Sequence, residues 1–350
     1  MTVFSNNNSA TRGLWGVTDF GGRYNNGTVF RLTDGRLSTL YNFTGGADGG
    51  FPTAITADKQ GALYGTAGDT VFKIDPIAGT FTTIWSFSGT DGIGLGGPLF
   101  IDDSGAIYGT TAAGGLTNSS HPGCYSNGCG TVFKLTPPKP GQSAWTLTTL
   151  YFFTGNADGA IPAGPYFEGG VIADKSGALY GTTYTGGTFG SICDSFGCGV
   201  VFKLTPPASG QGPWTETVIW SFSGYGDGDA GNGPLLIDGK GAIYGTTQFG
   251  GFLPCPSYSF GYGCGVVFKL TPPARGETAW TETTLWSFTG LSDGQTPLAG
   301  LVADNKGGLY GTTLNGGFFD NGTCGDGCGV VFKIDGAGFA PGADEDATPQ

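Results

Sequence analysis

Short apolar segments of four to eight residues recur along the chain, and clusters of Gly, Pro, Asn and Asp separate them. One segment reads GALYGT at 61–66 and returns as GAIYGTT at 105, GALYGTT at 177, GAIYGTT at 241 and GGLYGTT at 307, with a variant, GLWGVT, at 13. Segments of this length that are rich in β-branched and aromatic residues and bounded by turn formers are typical of β-strands. The pattern therefore predicts an all-β protein.

Three further segments accompany each copy of this phrase. One is typified by VFKLT at 201–205, one by ETTLWSFTG at 282–290, and one ends in Asp, as PLFID does at 98–102. Four strands per repeat, at spacings from 44 residues (61 to 105) to 72 residues (105 to 177), are typical of propeller blades. The sequence therefore predicts a six-bladed β-propeller of four-stranded antiparallel blades, with a β-solenoid-like stack as the alternative.

The repeats predict one domain over residues 1–335, followed by an acidic tail containing Pro and Gly at 336–350. The expected blades are 1–45, 46–89, 90–155, 156–224, 225–290 and 291–335. The first blade lacks a clear first strand and the sixth lacks a clear fourth. Residues 2–5, TVFS, are candidates for either position.

The combined phrase, LYGTT followed by GCG, VFKLTPP and F-T-G-x-x-D-G, resembles the choice-of-anchor GloVer tandem-repeat proteins of bacteria. The resemblance covers about residues 13 to 335. It implies export, attachment to the cell surface by differing C-terminal anchors, and no established biochemical activity. The tail GAGFAPGADEDATPQ shows no anchor of its own.

Charge and hydropathy exclude two classes of partner. The net charge is −12, and the 15 Lys and Arg residues are scattered, so no basic stripe is available for nucleic acid. No apolar stretch approaches about 20 residues, which argues against a membrane span, and the first residues lack the features of a signal peptide. We therefore expect the export signal and the anchor to lie outside this sequence.

Eight cysteines fall as four close pairs, each in a loop rich in Gly, Ser and Asn. The pairs are Cys124/Cys129, Cys193/Cys198, Cys255/Cys264 and Cys324/Cys328. An even number in local pairs favours disulfides and an oxidising compartment, so the protein is predicted to be secreted or exposed at the cell surface. Zinc is disfavoured because each pair belongs to a different repeat and the chain has one His.

In a meander blade the Cys loops and the loops that lead to the next blade lie on the same face. These loops vary while the strands hardly change, and variable loops on a rigid scaffold commonly carry binding. The sequence predicts a non-enzymatic module that binds glycan or protein there. The aromatic candidates for contact are Tyr125, Phe196, Tyr258, Tyr262 and Phe319.

The sequence offers little evidence for metal binding or catalysis. The segment DGDAGNG offers Asp227, Asp229 and Asn232 as a possible calcium site, but it lacks a fifth-position ligand and a closing Glu, and Asx-type turns are the alternative. No catalytic residue and no other cofactor is predicted, since the chain has no nucleophile elbow. Two alternatives stay open: a structural protein that self-assembles through an unpaired edge strand, and an enzyme acting on polysaccharides.

Overall fold

The computed structural model describes residues 3–6, 13–115, 123–164, 168–189, 193, 195–210, 212–251, 255, 263–317 and 327–341. The strands of this part are β1 (Val3–Asn6), β2 (Gly13–Thr18), β3 (Thr28–Thr33), β4 (Arg36–Asn42), β5 (Pro52–Ala57), β6 (Leu63–Ala67), β7 (Thr70–Asp75), β8 (Thr80–Ser86), β9 (Ile93–Ile101), β10 (Ile107–Ala113), β11 (Thr131–Thr136), β12 (Thr146–Phe152), β13 (Val171–Ala173), β14 (Leu179–Thr182), β15 (Val200–Thr205), β16 (Thr215–Ser221), β17 (Asp229–Ile237), β18 (Ile243–Phe249), β19 (Val266–Thr271), β20 (Thr281–Ser287), β21 (Val302–Ala303), β22 (Leu309–Thr312) and β23 (Val331–Ile334).

These strands form six antiparallel sheets that follow one another around a ring. The sheets are β1–β4, β5–β8, β9–β12, β13–β16, β17–β20 and β21–β23, each ordered as it runs along the chain. We call them blades 1 to 6. The fold is a six-bladed β-propeller, as the repeats predicted, and blade 6 has three strands in the part of the chain that the structure describes.

The extra strand near the N-terminus belongs to blade 1. Strand β1 pairs with β2, and Val3 lies opposite Gly16 while Asn6 lies opposite Gly13. Of the two positions open to residues 2–5, the structure therefore selects the first strand of blade 1 and not the fourth strand of blade 6.

A hydrogen-bonded unit explains why Asp, Tyr and Lys recur at fixed positions in every complete repeat. In blade 2, Asp58 Oδ1 accepts hydrogen bonds from the backbone N–H groups of Gln60 and Ala62, and Asp58 Oδ2 accepts one from the Tyr64 hydroxyl at 3.1 Å. The Lys73 ammonium lies 5.1 Å from the centre of the Tyr64 ring, within cation–π range. The same three residues recur as Asp102/Tyr108/Lys134, Asp174/Tyr180/Lys203, Asp238/Tyr244/Lys269 and Asp304/Tyr310/Lys333.

The Gly of the LYGTT phrase lies directly under a ring from the neighbouring strand. A Cβ on Gly65 would lie 2.5 Å from Cζ of Phe72, its cross-strand partner, and 2.5 Å from the Ala54 carbonyl oxygen. The equivalent clash at Gly245 would be with Phe268, at 2.7 Å. At this position an aromatic ring therefore packs on bare backbone.

The core consists of separate clusters between successive blades. Each cluster combines one face of a blade with the facing side of the next, as in the cluster that joins Tyr180, Val201 and Phe222 of blade 4 to Ile243 and Phe268 of blade 5. Blades 1 and 2, 2 and 3, 3 and 4, and 5 and 6 are joined in the same way. Among the described residues, no such cluster joins blade 6 to blade 1.

The beginning of the predicted tail belongs to the folded body. Ala337 and Phe339 are buried in the cluster between blades 5 and 6, and the Phe339 ring lies 5.4 Å from that of Tyr244. The Gly239 N–H donates to the Ala340 carbonyl at 2.8 Å. Residues 336–340 therefore cover blade 5.

The outer strands contact the preceding blade through one repeated position. Phe81 on β8 stacks on Tyr41 of blade 1, with ring centres 4.1 Å apart. The equivalent positions of blades 4 and 5 hold Glu216 and Glu282, which pair with the corresponding residues of the third strand. In blades 4 and 5 a carboxyl group thus replaces the aromatic ring at the contact between the outer strand and the preceding blade.

Burial raises the pKa of Glu216 to about 7, and the nearby Asp158 charge adds to the effect. Glu216 Oε1 is buried and has no hydrogen-bond partner among the described residues. Burial also raises the pKa of Glu282 to about 7; a hydrogen bond from Thr284 opposes the shift, and the charge of Asp227 adds to it. Both carboxyls therefore hold protons more tightly in the folded protein than in the unfolded chain.

We expect Asp174→Ala to lower the free energy of unfolding by about 1–3 kcal/mol, because the Ser176 and Ala178 N–H groups and the Tyr180 hydroxyl lose their acceptor. Asp103→Ala is the matched control, since that side chain is 86% exposed and forms one surface ion pair. Urea unfolding of the two variants measures the difference. Equal midpoints would show that the Asp unit contributes no stability.

The raised pKa of Glu216 makes stability depend on pH. Between the unfolded pKa of 4.5 and the folded value of about 7, the native state binds more protons, so stability is greatest below this window and falls as pH rises through it. We expect Glu216→Gln to flatten the decline, whereas Glu277→Gln, at an exposed site, leaves it unchanged. Thermal midpoints measured across this window test the slope, and an unchanged slope in Glu216→Gln contradicts the assignment.

Candidate functional site

Three of the four predicted cysteine pairs are disulfides in the described residues. They join Cys124 to Cys129, Cys193 to Cys198 and Cys255 to Cys264, with Cα–Cα distances of 4.5, 4.9 and 5.0 Å. Cys328 is also disulfide-bonded, and its predicted partner Cys324 lies outside the described residues. Each bridge lies in the loop between the second and third strands of its blade.

These bridges connect to backbone held in an unusual conformation. The second cysteine of a pair offers its carbonyl to the next blade: Ile161 N–H donates to Cys129 at 2.8 Å. Ile161 has a φ of 57°, a rare and costly conformation for a β-branched residue, on the order of 1–3 kcal/mol. The arrangement recurs where Ala230 N–H donates to Cys198 and Thr296 N–H donates to Cys264, with φ values of 58° and 57°.

The disulfide loops and the loops between blades lie on the same face, as expected from the meander. Hydrogen bonds join the two kinds of loop, running from Gly187 N–H to Asn156, from Gly251 N–H to Tyr225 and from Gly317 N–H to Leu291, at 2.8, 2.7 and 2.7 Å. We call this surface the Cys-loop face. It comprises the loops between second and third strands and the loops from one blade to the next; the remaining loops form the opposite face.

Each Asp of the repeated Asp-Gly pairs is hydrogen-bonded within its own loop. Asp48 accepts from the Thr44 N–H at 2.8 Å and from the Tyr41 hydroxyl at 3.1 Å. In blade 4 the indole Nε1–H of Trp220 donates to Asp227 at 3.3 Å. These carboxylates therefore fix the turn that follows the outer strand.

The calcium candidates fall around one of these turns. Asp227 accepts from Ser223 and Trp220, while Asp229 and Asn232 are buried on β17, where Asn232 Oδ1 accepts from the Gly233 N–H at 3.2 Å. The described residues contain no group of three or more His, Cys, Asp or Glu side chains placed to hold a metal ion. Calcium binding stays a prediction.

Exposed apolar side chains are concentrated on the Cys-loop face. Two of the predicted contact residues are described: Tyr125 is 42% exposed and Phe196 is 52% exposed. Tyr258, Tyr262 and Phe319 lie outside the described residues. The exposed large apolar side chains in loops of this face are Phe20, Tyr24, Phe51, Tyr125, Phe189, Phe196, Tyr225, Leu291 and Leu314. In the described loops of the opposite face, the corresponding set is Ile77 alone.

Several of these side chains were not predicted, because the cysteines mark only the loops between the second and third strands of blades 3 to 6. Phe20 and Phe51 belong to cysteine-free blades and pack edge to face, with ring centres 5.4 Å apart. Tyr225 precedes an Asp-Gly pair and is 54% exposed. Alignment of loop positions between repeats, rather than cysteine content, is the signal that finds them.

The same face is acidic. Its described loops carry seven Asp residues, at positions 19, 48, 69, 91, 158, 227 and 293, against one basic residue, Arg23. The described loops of the opposite face hold six basic residues, namely Lys59, Lys139, Lys175, Lys240, Arg275 and Lys306, and eight acidic ones, namely Asp34, Asp58, Asp102, Asp103, Asp174, Asp238, Glu277 and Asp304, so their charges nearly balance. The two faces therefore differ in both polarity and charge.

Inner segments of neighbouring blades fill the axis, and the rim carries a groove between blades 4 and 5. At the axis a Cβ on Gly97 would lie 1.6 Å from the Gly169 carbonyl oxygen, and one on Gly233 would lie 2.6 Å from the Leu298 carbonyl oxygen. Inner segments of neighbouring blades thus leave no room there for a methyl group. A rim groove of about 370 Å³ between blades 4 and 5 is lined by Trp220, Trp280 and three hydroxyl side chains, with no ionisable group.

Solved structures with a similar fold share little sequence with this chain. A luciferin-regenerating enzyme is 11% identical, with coverage of 97% of this chain and 92% of that one and a TM-score of 0.53. A candidate oxidoreductase (glucose dehydrogenase) from Thermus thermophilus is 14% identical, with 95% of each chain covered and a TM-score of 0.51. A gluconolactonase from Xanthomonas campestris is 14% identical, with 93% and 83% covered and a TM-score of 0.46. At these identities the likeness concerns the fold alone.

No curated protein sequence matches the chain. In the described residues, no helix is long and apolar enough to cross a membrane. The profile of the Gloeobacter/Verrucomicrobia repeat matches residues 5–122 and 120–340, which is nearly the whole chain and includes every blade. The resemblance carried by the LYGTT and VFKLT phrases is thereby confirmed, and the chain belongs to the Gloeobacter/Verrucomicrobia repeat family.

Proposed function

We propose that this protein is a non-enzymatic module, secreted or exposed at the cell surface, that binds glycan or protein through its Cys-loop face. The observation that carries the proposal is the unequal distribution of exposed apolar side chains between the two faces of the propeller. Scattered apolar residues on a surface need no explanation, but their concentration on one face favours an interaction site.

The architecture supports a binding role for these loops. The strands beneath them are held by the Asp, Tyr and Lys units, and the disulfides shorten the free length of the loops. Exposed aromatic rings such as Phe196 and Tyr225 offer apolar area at a small entropic cost. A rigid support with ordered aromatic loops suits recognition of an extended ligand.

Charge narrows the class of ligand. The described loops of this face carry seven Asp and one Arg, so an anionic polysaccharide would be repelled. A neutral glycan, or a protein surface with a net positive charge, would not be repelled by this face. The disulfides favour an oxidising compartment, which agrees with a ligand met outside the cytoplasm.

The absence of enzymatic activity stays a prediction, because the shared propeller fold of the solved structures does not decide it. The same holds for calcium, which the proposal does not require. Binding to the Cys-loop face is tested by variants of its aromatic side chains and by reduction of its disulfides.

We expect the triple variant Tyr125→Ser, Phe196→Ser, Tyr225→Ser to lose binding by at least about tenfold on arrays of neutral glycans and basic peptides, because it removes the exposed rings. Ile77→Ser is the matched control, since Ile77 is 72% exposed on the opposite face. Equal loss in both variants, or wild-type protein that binds no glycan or peptide on the arrays, contradicts the proposal.

Reduction is expected to abolish the same binding while the propeller stays folded. Each bridge closes a ring with a sequence separation of 5 or 9 residues, which corresponds to about 2–3 kcal/mol of local ordering. Binding and far-ultraviolet circular dichroism are measured with and without a phosphine reductant. If the reduced protein binds as well as the oxidised protein, the ligand site does not depend on the disulfide loops.

A further inference from the structure

The blades meet through two kinds of face, which we call trailing and leading. The trailing face of one blade packs on the leading face of the next. A Val of the third strand lies on each trailing face and is fully buried at positions 71, 132, 201 and 267. The equivalent residue of blade 6, Val331, is 80% exposed. In the part of the chain that the structure describes, the trailing face of blade 6 therefore has no partner.

The aromatic part of this face is also uncovered. In blades 4 and 5 the repeated Tyr is covered by an aromatic ring from a later part of the chain: Trp280 of blade 5 contacts Tyr180 at 6.4 Å between ring centres, and Phe339, in the segment after β23, contacts Tyr244 at 5.4 Å. Tyr180 and Tyr244 are buried, but Tyr310 of blade 6 is only half-buried. Tyr180 and Tyr244 thus have an aromatic cover, which Tyr310 lacks among the described residues.

The leading face of blade 1 shows the complementary defect. Its second strand carries Leu14, which is 41% exposed. The equivalent residues of blades 2 to 6 are at most 1% exposed, namely Leu63, Ile107, Leu179, Ile243 and Leu309. On its outer strand, Leu37 is also exposed, whereas its counterpart Phe81 stacks on the preceding blade.

We propose that the trailing face of blade 6 binds the leading face of blade 1 of a second copy of this chain, in a head-to-tail contact. The repeat supplies the argument: the two open faces carry the residue types that form five interfaces within the chain. A trailing face is built to fit a leading face and not another trailing face, so the contact is heterologous. It uses blade faces rather than the Cys-loop face and is independent of the proposed ligand binding.

The test measures the solution mass of the full chain and two variants by sedimentation over a range of micromolar concentrations. We expect the wild type to exceed its chain mass of 35.6 kDa as concentration rises. Val331→Asp and Leu14→Asp should each be monomeric, with association weakened at least about tenfold, since a charge enters an apolar contact. Ile77→Asp, at an exposed residue away from both faces, should associate as the wild type does.

Mixing the two monomeric variants gives the decisive result. Val331→Asp keeps an intact leading face and Leu14→Asp keeps an intact trailing face, so an equimolar mixture should form a dimer and nothing larger. Thermal midpoints within a few degrees of the wild type show that the variants are folded. A wild type that is monomeric at every concentration, as expected if the ring closes on itself, overturns the proposal, and so does a mixture that stays monomeric.

Discussion

A four-stranded blade has two apolar faces, and neither is buried until another blade covers it. Every cluster of the core in the described residues combines the trailing side of one blade with the leading side of the next. This requirement determines which residues recur in the repeat. A Phe packs over a strand Gly, a Val of the third strand is buried against the next blade, and a Tyr is covered by an aromatic ring. The same requirement also explains why substitution within the strand phrases is so limited while the loops vary.

The strand phrases, their order and the number of blades could be predicted from the sequence because each is a local pattern that the chain repeats. The Asp-Tyr-Lys unit could not be foreseen as a unit, although all three residues recur, because Asp58 lies in the loop after β5 and Lys73 lies on β7, and the two meet only around Tyr64. The placement of β1 was open, since a short apolar segment fits either end of a meander. Burial of Phe339 could not be predicted. Residues 336–340 cover Tyr244 as the segment around Trp280 covers Tyr180, but the two segments do not share a sequence.

The sequence predicted which loops share a face, but it predicted only part of the set of exposed side chains on that face. The cysteine pairs marked the loops between the second and third strands of blades 3 to 6, and the meander places these loops on one face. The aromatic side chains of blades 1 and 2, such as Phe20 and Phe51, carry no such marker and were found by exposure alone. Charge asymmetry between the faces was hidden in the total of −12, because a sum over the chain does not record on which loops the charges lie.

The short span of the disulfides bears on how the thiols find their partners. Eight cysteines can pair in about 105 ways, and mispaired species are a common obstacle to oxidation. Here the partners are separated by 5, 5 and 9 positions within one hairpin loop, so each thiol meets its own partner far more often than any other. Correct pairing then needs neither a completed ring nor repeated exchange by an isomerase.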